Sequence, residues 1–369
     1  MALTGAMSAG ISGLKAHMEA LNTVGNNVAN VNTYGYKPGR VTFRESIYST
    51  QAAGSAGTNM VGGTNPRQTG YGCSIGTIDL DMTTSSLEST GMPTDCFIQG
   101  DGFFLVGPKD VDVNNAEDAK ALSLSRVGDF RFDSDGYLVD GAGNVVYGFV
   151  TCNMDGADQA DEAGTNGDGI STQLVPIRLP MKAVGDAAQG DIKPGDALFP
   201  GVDDTGHNVP AEEGTDAENS TGDCIAYNSL KIDSNGQVSC VNDDTGDPVV
   251  VGYIALGKVT NPNGLEHTEG PYYTAGDAAG DIRVGTPGNS VTGNLRNDKI
   301  TDGNNVVDPD SALAEGSGAT LMTGFLEASG TDLATEFANM IIYQRGYQAN
   351  TRIVTVTDTM LEELVNMKR

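Results

Sequence analysis

Residues 332–369 read DLATEFANMIIYQRGYQANTRIVTVTDTMLEELVNMKR, and this stretch decides the fold of the chain. Gly346 is its one Gly or Pro residue, so a single long helix is predicted. Apolar side chains recur every seven residues, with two more at intermediate positions: Leu333, Met340, Tyr347, Val354 and Leu361, with Phe337 and Val365. Such a row keeps one face of a helix turned toward a partner. A second apolar row runs through Ile353, Val356, Met360, Leu364 and Met367, which predicts more than one neighbour for this helix.

The predicted partner lies at the other end of the chain, where residues 3–31 also read as an amphipathic helix. Its apolar side chains alternate between four- and three-residue spacing, with Gly25 in the one missing position: Met7, Ile11, Leu14, Met18, Leu21 and Val28. The two ends therefore resemble two strands of a coiled coil. The periodicity leaves two interpretations open, because heptads specify a helical partner without saying which chain supplies it. One is an intramolecular helical hairpin that closes the molecule, and the other is an interface for assembly.

Composition excludes several classes of function. The 369 residues carry 49 Asp and Glu against 21 Lys and Arg, a formal net charge of -28. We expect no nucleic-acid binding and no adhesion to anionic membranes, since both require basic surfaces. We also expect no membrane insertion, because no apolar run approaches the ~20 residues of a membrane-spanning helix. The N-terminus lacks the pattern of a secretory signal, and the five scattered Cys predict small buried side chains, with one disulfide left open.

The sequence between the two predicted helices is typical of antiparallel β-structure. Short apolar runs alternate with turn signals at Gly100–Gly102, 133–136, 140–144 and 234–236. Residues 49–70 are rich in Ser, Thr, Gly and Ala, which predicts a flexible linker or a long excursion.

The predicted fold is multidomain and mainly β, with sandwich- or barrel-like domains in the middle and terminal helices that pair as a coiled coil. Four regions are expected. A helical domain comprises 1–31 with 332–369, an extended linker 32–71 with 313–331, an inner β domain 72–150 with 223–312, and an outer inserted β-type domain 151–222.

The sequence contains no pattern specific for an enzyme, so we expect no catalytic, cofactor-binding or metal-binding residues. Gly100-Asp101-Gly102 begins like a dinucleotide-binding loop, but Leu105 replaces the third Gly. Asp133-Ser134-Asp135-Gly136 begins like a calcium loop, but it lies among predicted strands rather than between helices.

Several long motifs occur in a fixed order and carry a family resemblance. The first follows the N-terminal helix and includes Asn26, Asn27, Asn30, Asn32, Gly35 and Lys37. The last lies in the C-terminal helix and includes Gln344, Arg345, Gln348 and Asn350. Between them, Ile98-Gln99-Gly100-Asp101-Gly102-Phe103-Phe104 and Ser125-Arg126-Val127-Gly128-Asp129-Phe130 fit the same series. Over roughly residues 1–150 and 225–369 the chain resembles the bacterial flagellar rod and hook proteins.

The resemblance implies a structural subunit that polymerises with itself into the flagellar hook, a curved flexible tube that transmits torque from rod to filament. The acidic insert near 151–222 and the closing residues favour the hook, and the distal rod protein of the basal body is the alternative. The expected partners are further copies of the chain, the rod, the hook cap, the hook–filament junction proteins and the flagellar export apparatus. The expected location is extracellular, after export through the flagellar channel without a cleaved signal peptide.

Overall fold

The computed structural model describes residues 2–57, 62–109, 111, 118–152, 169–170, 174–183, 194–199, 220–289, 301–302, 305–306 and 319–367. The chain divides into two compact units. The terminal unit is Met1–Thr83 with Ser329–Arg369, and the middle unit is Thr84–Ala328. The described chain is mainly β with one long helix near each end. The expectation of a mainly β chain with a helix near each end is thereby confirmed.

The terminal unit contains both long helices. Its elements are α1 (Ala2–Ala29), β1 (Gly39–Glu45), β2 (Tyr48–Ala52), β3 (Arg67–Gly70), β4 (Cys73–Leu80) and α2 (Leu333–Asn366). α2 begins at the start of the stretch predicted to be helical, and the carboxylate of Asp332 accepts a hydrogen bond from the backbone N–H of Ala334 at 3.0 Å. This cap satisfies one of the backbone donors that the first turn of a helix leaves without a partner.

The strands of the terminal unit form one long antiparallel ribbon. β1 pairs with β4, and β2 pairs with β3 farther along. A bridge between Ser55 and Thr64 continues the pairing toward the tip. The stretch 49–70, whose composition predicted a linker or a long excursion, thus contributes paired strands to this ribbon.

The middle unit contains the remaining strands. They are β5 (Leu87–Ser89), β6 (Cys96–Gln99), β7 (Phe103–Gly107), β8 (Ser123–Ser125), β9 (Arg131–Phe132), β10 (Leu138–Val139), β11 (Val145–Cys152), β12 (Gly169–Ile170), β13 (Val175–Pro176), β14 (Met181–Ala183), β15 (Ala197–Leu198), β16 (Ser220–Cys224), β17 (Tyr227–Ile232), β18 (Gln237–Asn242), β19 (Pro248–Ile254), β20 (Leu256–Val259), β21 (Leu265–His267), β22 (Tyr272–Ala275), β23 (Ile282–Gly285), β24 (Thr301–Asp302), β25 (Asn305–Val306), β26 (Thr320–Thr323) and β27 (Phe325–Glu327). The largest sheet follows the order β17-β18-β19-β11-β7-β8-β22-β21, and its described pairs are antiparallel.

Three predicted hairpins are confirmed. β9 and β10 pair across the turn at Gly136, β10 and β11 across Gly143, and β17 and β18 across Gly236. Each of these glycines has a positive φ, between 78° and 93°, a conformation that side chains with a Cβ rarely adopt. The strands cover a core in which Phe104 and Phe130 meet edge to face with centroids 4.9 Å apart.

The hairpin predicted at Gly100–Gly102 is wrong. β6 pairs with β26, whereas β7 pairs with β8, β11 and β20. Gly100 and Gly102 have φ values of 126° and 152°, far from those of a tight two-residue hairpin turn. The glycines therefore carry the chain from one sheet into another.

Two regions of the middle unit fall largely outside the described residues. The predicted outer domain 151–222 is described only at its short strands, where β14 pairs with β15 and β16. The long loop near 287–319 is likewise described only in part.

Four of the five cysteines are described as free thiols: Cys73, Cys96, Cys224 and Cys240. Cys96 and Cys240 are buried, as expected of small apolar side chains, whereas Cys73 and Cys224 are half-buried. Burial raises the pKa of the Cys240 thiol to about 11, so this thiol stays protonated at neutral pH.

A buried ion pair lies in the middle unit close to where the chain enters and leaves it. The guanidinium of Arg126 lies 3.7 Å from a carboxylate oxygen of Glu327, and both side chains are buried. The other oxygen of Glu327 accepts a hydrogen bond from the backbone N–H of Ser85 at 2.8 Å. Arg126 also lies over the ring of Phe103. The first and last segments of the unit are thereby joined to its body.

We predict that Arg126→Met destabilises the chain by about 3 to 5 kcal/mol, because it leaves the buried carboxylate of Glu327 without its counter-charge. Denaturant unfolding followed by tyrosine fluorescence measures this loss. Arg131→Met, at an exposed position of β9, is the matched control and should change the free energy of unfolding by less than about 0.5 kcal/mol. Adding Glu327→Gln to Arg126→Met should recover part of the loss, and equal effects of the two Arg variants would contradict this role of the pair.

Candidate assembly interface

The helices α1 and α2 pack against each other through small side chains. The buried face of α1 carries Gly10, Gly13, Ala16 and Ala20. A Cβ atom at Gly10 would lie 3.3 Å from Cγ2 of Val354, and one at Gly13 would lie 2.7 Å from Nδ2 of Asn350. Farther along α1, His17 contacts Gly346 and Asn27 contacts Glu336. Positions rise along one helix as they fall along the other, so the two helices are antiparallel.

A second close approach lies at Gly346 of α2. A Cβ atom there would lie 2.7 Å from ring atoms of His17. The imidazole also packs against Phe43 of β1 and Tyr343 of α2, with ring centroids 5.4 Å and 6.2 Å away. This cluster joins both helices to the ribbon, and the missing side chain at Gly346 makes room for it.

The predicted apolar row of α1 lies beside this contact rather than in it. Its positions are rotated by about a quarter turn from the buried glycines and alanines. Met7, Leu14, Leu21 and Val28 are half-buried. Ile11 and Met18 are exposed, with 39% and 50% of their surface accessible. The row therefore leaves apolar surface available to another molecule.

The predicted apolar row of α2 is divided between contact and solvent. Met340, Val354 and Leu361 are half-buried. The other four members are exposed: Leu333, Phe337, Tyr347 and Val365. The second predicted row is exposed along its whole length, through Ile353, Val356, Met360, Leu364 and Met367. In α2, apolar surface thus extends well beyond what α1 covers.

The Asn-rich motif after α1 builds the turn into the ribbon. Asn27 is buried, and its amide donates to the carbonyl of Gly39 at 2.9 Å and to Glu336 Oε1 at 3.2 Å. Its carbonyl oxygen accepts from the hydroxyl of Tyr36 and from the backbone N–H of Gly39, both at 3.0 Å. One side chain thus fixes α1, β1 and α2 together.

The other residues of this motif complete the turn. Asn30 donates to the backbone and side-chain oxygens of Asn26, both at 3.0 Å. Gly35 has a φ of 68°, and the buried Lys37 donates to the carbonyl of Thr83 at 2.7 Å. Asn32 is exposed.

In α2, the motif residues Gln344, Arg345 and Gln348 are exposed, whereas Asn350 is half-buried beside Gly13. The motif thus contributes one side chain to the contact between the helices and three to the surface.

Two carboxylates sit in different environments at the start of α2. Hydrogen bonds from the Thr335 hydroxyl and the backbone N–H of Ala334 lower the pKa of Asp332, which favours its ionised form. Burial raises the pKa of Glu336, although the hydrogen bond from Asn27 opposes the shift. Oε2 of Glu336 is buried and has no hydrogen-bond partner within the described chain.

Exposed large apolar side chains are concentrated in the terminal unit. Among the described residues, the middle unit contributes only Leu87, Met92 and Tyr227 to this class. The terminal unit contributes the helix rows and ribbon residues such as Ile47 and Ile78. Concentrations of this kind mark surfaces that bind other proteins.

Other types of site have no support in the described residues. Within the described ranges, no three His, Cys, Asp or Glu side chains are grouped as a metal site requires. Neither of the two long helices described is apolar enough over its length to span a membrane.

Comparison with known proteins assigns the two ends of the chain to a known class of protein. A family model described as flagella basal body rod protein matches residues 7–37, and one described as the C-terminal region of flagellar basal body rod FlgEFG proteins matches residues 322–367. These matches cover most of α1 with the Asn-rich turn, and β26 through α2. They define the class as an axial protein of the bacterial flagellum.

Full-length relatives then give the family. The chain is 32% identical to the flagellar basal-body rod protein FlgG of Bacillus subtilis over 362 residues, covering 98% of this chain and 97% of the relative. It is 25% identical to the flagellar hook protein FlgE of Borreliella burgdorferi over 471 residues, covering 97% and 98%. The flagellar hook protein FlgE of Salmonella typhimurium is 25% identical over 433 residues, covering 98% and 99%. The chain belongs to the flagellar hook and rod protein family, a structural family.

The tight contact at Gly346 can be tested by comparing an alanine substitution there with one at Gly25. Both glycines lie inside helices, where Ala is favoured over Gly by about 1 kcal/mol. Gly25 has no neighbouring atom within 4 Å that an added Cβ would meet, whereas Gly346 contacts His17. We predict that Gly25→Ala raises the free energy of unfolding by about that amount and that Gly346→Ala fails to do so. Denaturant unfolding followed at 222 nm measures both, and equal stabilisation would show that the contact with His17 is not tight.

Proposed function

We propose that this chain is the structural subunit of the flagellar hook, which assembles with itself into a curved, flexible tube and transmits torque from rod to filament. The observation that carries the proposal is the apolar surface of the terminal unit, exposed along two sides of α2 and one side of α1. In a family of axial proteins, further copies of the chain are the natural partners for such a surface. Alignment with hook proteins over nearly the whole chain supports the assignment.

The contact between the helices supports a refined picture of the interface. We propose that residues 1–31 and 332–369 form an antiparallel coiled-coil domain that builds the inner layer of the tube. Small residues hold the pair together, while the apolar rows of α1 and α2 contact neighbouring copies. The predicted set of interface residues, from Met7 to Val28 and from Leu333 to Val365, retains this role in the proposal.

The remaining regions take outer positions in the same proposal. Residues 32–71 with 313–331 connect the layers, 72–150 with 223–312 form the inner β domain, and 151–222 form the outer insert. Sandwich- or barrel-like packing is proposed for the β domains. The subunit would be located outside the cell after export through the flagellar channel, in contact with the rod, the hook cap and the hook–filament junction proteins.

The distal rod protein is the second candidate, and two observations favour it. The relative that is 32% identical is named as a rod protein. The alignments with hook proteins run over 471 and 433 positions, longer than the 369 residues of this chain, so those hook proteins carry additional segments.

Assembly through the exposed row of α2 is tested by Ile353→Asp with Met360→Asp. Both side chains are exposed in the single chain, so folding should be retained while burial against a neighbouring copy is lost. Loss of two buried apolar side chains, at about 1.5 kcal/mol each, should raise the critical concentration for polymer about a hundredfold in sedimentation assays. Leu333→Asp with Tyr347→Asp tests the heptad row in the same way.

Thr355→Asp with Thr359→Asp is the matched control. It adds the same charge to α2 on a face that carries polar residues, at two exposed positions. Polymer formation should remain within about threefold of the unaltered chain, the scale of a surface substitution. If the apolar variants assemble as well as this control, the exposed apolar rows of α2 do not form the assembly interface.

The shape of the polymer distinguishes the hook assignment from the rod assignment. Electron micrographs of polymer grown from the full chain should show curved tubes, since a hook must bend as it turns. Tubes that remain straight under every solution condition would favour the rod assignment. Expression in strains lacking either the native hook or the native distal rod subunit provides an independent readout, in which swimming should recover in the hook-deficient strain.

A further inference from the structure

The formal charge of the chain is confined to one of its two units. The terminal unit contains nine Lys and Arg and nine Asp and Glu, so its formal charge is zero. The middle unit contains the other 12 basic and 40 acidic residues, which account for the whole formal charge of -28. The unit with the exposed apolar surface is therefore the neutral one.

Most of the acidic residues that the structure describes in the middle unit are exposed at its surface. Exposed positions occur within β5, at the turns after β17 and β18, within and after β21, and after β22. Six that the structure describes as exposed are Glu88, Asp233, Asp247, Glu266, Glu269 and Asp277. Charges in such positions interact with solvent and with neighbouring molecules rather than with a protein interior, so dissolved salt can screen them.

The two units respond differently to dissolved salt. Burial of apolar surface by a neutral unit needs no screening of charge. Repulsion between like-charged units rises with the product of their charges and acts over the Debye length. This length is about 30 Å at 0.01 M salt and about 3 Å at 1 M. At low ionic strength each middle unit therefore repels its neighbours over about 30 Å, and at high ionic strength only at contact.

We propose that the middle unit makes assembly of this chain conditional on ionic strength, with dissolved cations of the surrounding medium as the partner that its acidic surface requires. The terminal unit supplies an attraction that salt does not weaken, and the middle unit supplies a repulsion that salt removes. The inference rests on the proposed function, because the repulsion matters only where many copies are brought side by side. It predicts a subunit that stays dispersed at low salt and polymerises in a saline medium.

The test compares the full chain with two variants altered at the same six positions. The neutralising variant carries Glu88→Gln, Asp233→Asn, Asp247→Asn, Glu266→Gln, Glu269→Gln and Asp277→Asn, which changes the formal charge from -28 to -22. The charge-conserving variant exchanges Asp for Glu and Glu for Asp at those positions. Circular dichroism of both variants confirms folding. The critical concentration for polymer is then measured by sedimentation from 0.01 M to 1 M NaCl, and again in KCl.

For the unaltered chain we expect the critical concentration to fall at least tenfold across this range, equally in NaCl and KCl. In the neutralising variant, repulsion falls to about six-tenths of its value because it scales with the square of the charge. That variant should therefore polymerise at distinctly lower salt, and the charge-conserving variant should match the unaltered chain.

Polymer that forms with the same salt dependence in all three proteins would overturn the inference and leave the proposed function standing. A response to only one of the two salts would also overturn it, because screening does not distinguish Na⁺ from K⁺. Failure of every protein to polymerise at any salt concentration, with curved or straight tubes equally absent, would overturn both.

Discussion

The close contact between α1 and α2 is the constraint on which the terminal unit depends. It joins residues near the two ends of the chain, and it does so through Gly10, Gly13 and Gly346. A contact made by large apolar residues would bury those side chains within one molecule. A contact made by Gly and Ala brings the helix backbones together and leaves the large side chains on the flanks. The same feature therefore closes the subunit and leaves the large apolar side chains of its helices exposed, as the proposed assembly interface requires.

The sequence predicts the elements of this unit better than the face on which they meet. Helix lengths, the cap at Asp332 and the turns at Gly136, Gly143 and Gly236 follow from local rules and are all present. The contact face of α1 was not predicted, because an analysis of periodicity looks for large apolar side chains and this face is built from small ones. Gly10, Gly13, Ala16 and Ala20 also recur at three- and four-residue spacing, which is the signal that could have revealed the contact.

The structural role of Asn27 could not be predicted from periodicity or from the family motif. The family resemblance marks this residue, but its role depends on four hydrogen bonds to residues of β1, of α2 and of the turn that follows α1. Those partners become neighbours only after α1, the ribbon and α2 have packed. Likewise, Gly100 and Gly102 look like a hairpin turn locally, and only the distant partners of β6 and β7 show that the chain changes sheets there.

The division of charge bears on what distinguishes members of this family. The two family models match the ends of the chain, and relatives named as rod and as hook proteins both align along its length. The shared ends can therefore supply the common property, a subunit that polymerises. A tube that bends has in addition to let outer surfaces change neighbours, which requires contacts there to be weak and easily exchanged. In the proposed hook, an acidic middle unit whose described residues include few exposed large apolar side chains would meet that requirement, because like charges oppose any permanent contact between neighbouring copies.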